Sequence, residues 1–97
     1  MAVYVVIRIQ ADEPSLLKDY QAVALAIIKK YKGKLLVRGG EVVTLEGPEE
    51  NRRIVMIEFP SLDGAKEFYF SDEYTKAIEL RKGRAEFEII AVDGITE

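Results

Sequence analysis

Residues 3–9 read VYVVIRI, residues 54–59 read IVMIEF and residues 85–92 read AEFEIIAV. All three are rich in β-branched and aromatic side chains, which marks them as strands. Their faces do not alternate cleanly. Tyr4 and Val6 are apolar opposite Val3, Val5 and Ile7, Ile54 and Met56 opposite Val55, Ile57 and Phe59, and Ile90 and Val92 opposite Ile89 and Ala91. Strands that are apolar on both sides are buried on both faces.

Between these strands the periodicity changes. Leu16, Leu17, Tyr20, Val23, Ala24, Ile27, Ile28 and Tyr31 fall at helical spacing. Asp12, Glu13 and Pro14 form the expected helix start and Gly33 the expected left-handed C-cap. Residues 35–45 read as the second strand, interrupted at Arg38-Gly39-Gly40, where two glycines indicate a bulge or a close backbone approach. Residues 47–53 are a polar turn, so the second and third strands form a hairpin. After Pro60, Ser61 caps a short helix with Leu62, Ala65, Phe68 and Tyr69. Ser71 caps a further turn with Tyr74, Ala77, Ile78 and Arg81. The order strand, helix, strand, strand, helix, strand is an α+β, ferredoxin-like βαββαβ pattern with an antiparallel sheet, predicted as one domain over 1–97. Its helices cover one sheet face, and 97 residues leave nothing to cover the other. A second copy can, so a homodimer through the sheet face is expected. The competing reading is a groove for a hydrophobic ligand or another partner.

Composition narrows the chemistry. There is no Cys and no His, which excludes thiolate catalysis, Cys-based metal sites and His-based acid–base or haem chemistry. A metal or cofactor is not expected. Net charge is −3, and the basic stretches Lys29, Lys30, Lys32, Lys34 and Arg81, Lys82, Arg84 sit at helix ends, where they suit the helix dipole. A nucleic-acid partner is therefore not expected. No apolar run reaches the length of a membrane span, no leader segment is recognised, and a cytoplasmic location is expected.

Three charges interrupt the apolar strands: Arg8, Arg38 and Glu58. By alternation Arg8 and Glu58 share the face away from the helices and can pair. Such a pair either fixes strand register or forms the polar end of an apolar pocket, with Glu58 as base or hydrogen-bond acceptor. Arg38 beside two glycines can clamp a carboxylate or phosphate, or can stand at the rim of a structural bulge. Tyr20, Tyr31, Tyr69 and Tyr74 lie on apolar helix faces and read first as core. Tyr69 and Tyr74 are the better site candidates, because they flank the helix break at Ser71 and Asp72.

The set Leu36-Val37-Arg38-Gly39-Gly40, Ile57-Glu58-Phe59-Pro60-Ser61, Phe68-Tyr69 with Ser71, Glu73 and Tyr74, then Arg81, and finally Val92-Asp93-Gly94 resembles the 1330 family of domains of unknown function. The resemblance runs along nearly the whole chain. It implies a dimeric α/β barrel, two ferredoxin-like units with facing sheets. It carries Arg38, Gly39, Gly40, Glu58, Ser61, Tyr69, Tyr74 and Arg81 as motif positions without assigning them roles. The wider superfamily is similar to cofactor-free monooxygenases, haem peroxidases, lactone isomerases and amino-acid-sensing domains, and the lack of His argues against the haem-bearing relatives.

Three functions follow as expectations. The first is a dimer binding a small anionic or phenolic metabolite through Arg38, Gly39, Gly40, Arg8 and Arg81. The second is a cofactor-free isomerase or monooxygenase with Glu58 as base and Tyr69 or Tyr74 as donor. The third is a structural or regulatory partner protein without a ligand.

Overall fold

The structure, a computed structural model, describes residues 2–95. Strand β1 spans Val3–Gln10, and a 3-10 turn over Pro14–Leu17 leads into helix α1, Lys18–Lys30. Strands β2 (Lys34–Arg38) and β3 (Arg53–Phe59) follow, then α2 (Leu62–Tyr69), α3 (Asp72–Glu79) and β4 (Glu86–Asp93). The sheet order is β2-β3-β1-β4, and every neighbouring pair is antiparallel. This is the α+β architecture read from the sequence.

Alternation along β1 decides the layers. Val3, Val5, Ile7 and Ile9 are buried, and in register they meet Phe59, Ile57, Val55 and Arg53 of β3. Leu17 of the 3-10 turn and Tyr20, Ala24, Ile27 and Ile28 of α1 pack on them, with Ala65, Phe68, Tyr74 and Ala77 from α2 and α3. The opposite face carries Tyr4, Val6 and Met56 with no helix over it, and Ile90 and Val92 are 54% and 50% exposed there. The molecule measures 36 × 36 × 16 Å, the thickness of one sheet and one helix layer.

Ser61 and Ser71 cap as expected. The Ser61 hydroxyl accepts from Gly64 N at 3.0 Å, and that of Ser71 accepts from Tyr74 N at 3.1 Å while donating to the Phe68 carbonyl at 2.8 Å. Ser71 thus closes α2 and opens α3 with one side chain.

Four local expectations are corrected. Asp12 does not cap the first helix: the cap position falls to Glu13, without a side-chain bond, ahead of the 3-10 turn. Gly33 is not the left-handed residue that ends α1. Lys32 is, at φ 67°, with Lys32 N bonded to the Lys29 carbonyl at 3.0 Å and Gly33 N to that of Ile28 at 2.8 Å. This is a Schellman closure with lysine where glycine is usual. Gly33 is required for another reason: a Cβ there would lie 2.7 Å from Ile28 Cγ2 and 2.9 Å from the Phe59 ring.

The second strand does not run from 35 to 45. It ends at Arg38, because the register slips between Leu35 and Val37 and Gly39 turns left-handed at φ 68°. Gly39 N makes the last rung, 2.9 Å to the Ile54 carbonyl. The chain then leaves the sheet, and Leu45 is 93% exposed. Last, Arg8 and Glu58 do not pair. In register Arg8 meets Ile54 while Glu58 meets Tyr4, four rungs or roughly 13 Å away.

Candidate functional site

A cleft of about 70 Å³ opens between α1 and the sheet. Its floor is Ile7, Ile9, Val55 and Ile57, and its roof is Leu17 of the 3-10 turn with the face of α1 carrying Tyr20, Ala24 and Ile28. Among the described residues, its only charged lining side chains are Arg38 and Arg53.

The position of Arg38 follows from the bulge. Leu35 pairs with Ile57 on the helix side of the sheet. Strict alternation would send Arg38 to the opposite face. The extra residue at Leu36 restores it, so that Arg38 pairs with Val55 on the helix side and lines the cleft. Gly39 contributes through what it lacks. An added Cβ would fall 2.2 Å from Arg53 Nε and 2.8 Å from Arg53 Cζ, so the guanidinium occupies the space a side chain would take. Gly40 has no atom within 4 Å of such a Cβ.

Arg53 does not stand out as a site residue in the sequence, because it closes the polar stretch 47–53. The signal was present: counting back by twos from Ile57 and Val55 places Arg53 on the helix face, opposite Ile9. Its Nε is buried and has no hydrogen-bond partner among the described residues.

Tyr20 lines the cleft, and its hydroxyl lies 2.5 Å from that of Tyr74, which is fully buried. Burial first, and then the neighbouring Tyr74 phenol, push the Tyr20 hydroxyl far above the ordinary phenol range. Arg81 lies beside these rings, with its guanidinium carbon 3.7 Å from the Phe87 centroid and 5.4 Å from that of Tyr20. It is only 9% exposed, and its Nε has no partner among the described residues. Stacking on two rings is what stabilises this cation.

The other expected site residues lie elsewhere. Tyr69 packs against Tyr74 with ring centroids 5.4 Å apart, and both border an apolar hollow between α2 and β4. Glu58 is on the opposite sheet face, beside Lys34, in a depression with Lys32 and Pro60. The sheet therefore separates Glu58 from Tyr69 and Tyr74 within one chain. Arg8, also on that face, reaches Glu50 with its Nε at 3.2 Å. Glu50 also accepts from Arg52 Nε at 2.8 Å, and Arg52 continues to Glu88. The Arg52 hydrogen bonds are the main cause that holds the Glu50 carboxyl down at about 2. Among the described residues no group of acidic side chains is placed to hold a metal ion, and no helix is long and apolar enough to cross a membrane.

Comparison with known proteins agrees with the fold. The family model described as a domain of unknown function, DUF1330, matches residues 2–95. A protein of unknown function from Rhodopseudomonas palustris superposes with a TM-score of 0.76 at 16% identity, over 99% of this chain and 84% of that one. A cofactor-independent oxygenase from Streptomyces nogalater gives 0.70 at 13% identity, over 99% and 95%. A dimeric protein of unknown function with a ferredoxin-like fold from Bacteroides fragilis gives 0.64 at 15% identity, over 96% of each chain. Among curated proteins none matches.

Proposed function

We propose, from the premise that the chain belongs to the DUF1330 family of domains of unknown function, that it is a homodimeric protein that binds a small anionic molecule in the cleft beneath α1. The observation that carries this reading is Arg38 at the mouth of an apolar cleft, put there by a one-residue bulge. A bulge and a left-handed glycine both disturb a strand, and such departures from local regularity are most expected at working sites. Pairing through the sheet face is supported by the half-exposed Ile90 and Val92 and the apolar Val6 and Met56 beside them. The dimeric relative of like fold points the same way.

A catalytic set of Glu58, Tyr69 and Tyr74 is the weaker reading, because the sheet stands between the carboxylate and the two phenols of one chain. Native mass spectrometry of the protein as purified tests the proposal. The expected species has twice the chain mass and carries a small adduct, and Arg38→Ala loses the adduct but not the pairing. A lone chain without an adduct would overturn both parts.

A further inference from the structure

Arg38 and Arg53 are diagonal neighbours on the helix face of the β2–β3 ladder. Arg38 pairs with Val55, and Arg53 lies two residues before Val55 on the same strand. Diagonal positions are about 7–8 Å apart, within mutual reach of long side chains. Among the described residues neither arginine takes part in an ion pair, although other arginines do, at Arg8 and Arg52. Arg53 Nε is buried and unpartnered, and the bare backbone of Gly39 lies against it. Two like charges at the mouth of an apolar cleft, with no carboxylate between them, cost stability in the empty protein.

A carboxylate resolves this arrangement. Its two oxygens take paired N–H donors from a guanidinium fork, and a second fork satisfies the remaining lone pairs. A monoanion also fits the setting better than a dianion, whose desolvation beside apolar walls is costlier. Beyond the two arginines the lining is apolar apart from Gln21 and the Tyr20 hydroxyl, and that hydroxyl is already bonded to Tyr74. The volume, about 70 Å³, suits a few carbon atoms and not a long tail. We propose that the ligand is a short-chain monocarboxylate, its carboxylate held between Arg38 and Arg53 and its apolar part lying beneath α1. This rests on the reading of the cleft as the binding site.

The test is calorimetric titration of the full chain with short branched carboxylic acids and with the primary alcohols and amides of the same carbon skeletons. The acids are expected to bind about ten- to a hundredfold more tightly than their neutral counterparts. Arg53→Gln should lower acid affinity by a similar factor and leave the alcohols unchanged. Arg53→Lys keeps the charge but not the fork, and should give an intermediate loss in a chain that folds as the parent does. Equal affinity for acid and amide would overturn the carboxylate assignment while leaving the cleft as the binding site. Acid binding that is indifferent to both Arg53 variants would overturn the role of Arg53. Binding of neither acids nor neutral analogues would overturn the inference and the cleft together.

Discussion

At Gly39 and Gly33 a single missing carbon atom decides the local structure, by different routes. Gly39 is left-handed, and the atom that a methyl would strike is the end of the Arg53 side chain. Gly39→Ala should therefore cost about 1–2 kcal/mol in backbone strain and push Arg53 out of position. Urea unfolding measures the first effect, and loss of ligand the second. Gly33 is not left-handed, but a methyl there meets Ile28 and Phe59, which are buried and cannot yield easily. Gly33→Ala should cost about 1–3 kcal/mol through overpacking, and by pushing on Ile28 it disturbs the roof of the cleft and not its arginines. The phenol pair offers a third check. Tyr74→Phe leaves the Tyr20 hydroxyl without its partner, and should cost about 1–3 kcal/mol. The pH behaviour follows from the raised Tyr20. The folded chain holds that proton more tightly than the unfolded chain, so its contribution is full below the ordinary phenol value of 10.0 and is lost as pH rises above it. Denaturation followed across alkaline pH should show this loss in the parent.

Helix and strand ends carry the next set of expectations. Lys32 bears the cost of a left-handed non-glycine residue at the close of α1. Lys32→Gly should relieve about 1 kcal/mol and raise the melting temperature. Ser71→Ala removes the cap of α3 and the bond to Phe68, and should cost about 1 kcal/mol or more with reduced helical circular dichroism. This is also the scale at which the sequence was most and least legible. The continuous apolar runs of β1 and β3 and the serines at 61 and 71 announce themselves, since composition and capping chemistry are local. The end of β2 does not. Val42, Val43 and Leu45 look like more strand, and nothing in their own chemistry reveals that Gly39 has already turned the chain away. The bulge at Leu36 is equally silent, because Leu36 and Val37 suit either face. Arg38 was thus found as a candidate by its glycines, whereas Arg53 was hidden in an apparent turn. The supposed Arg8–Glu58 pair failed because alternation fixes a face and not a rung.

Across the whole molecule, the two sides of one sheet have different work. One is filled by helices, and the other has no helix over it and carries Val6, Met56, Ile90 and Val92 with charges at its ends. Ile90→Lys places a charge on that side, on the edge strand β4 beside Val6, where burial within one chain is already slight. It should leave the circular dichroism unchanged and convert a two-chain species to one chain in sedimentation. The Arg8, Glu50, Arg52 and Glu88 group ties the end of the 39–52 loop to this side. The lowered Glu50 carboxyl means that the folded state favours its ionised form. Its contribution is therefore complete above the ordinary value of 4.5 and is lost as pH falls toward about 2. Acid titration of stability should show this component, and Glu50→Gln should flatten it.

Strand residues are counted in twos, and Leu36 makes the count odd. Every residue beyond it in β2 has exchanged sides relative to an uninterrupted strand. Deletion of Leu36 would make the strand regular and leave Arg38 opposite Val55, still on the cleft side. Drawing Leu36 into the pairing instead would set Val37 opposite Val55 and turn the charge of Arg38 to the opposite surface. Which surface of such a sheet is charged thus depends on whether the odd residue is bulged out or paired, while the list of residues that mark the site stays as it was.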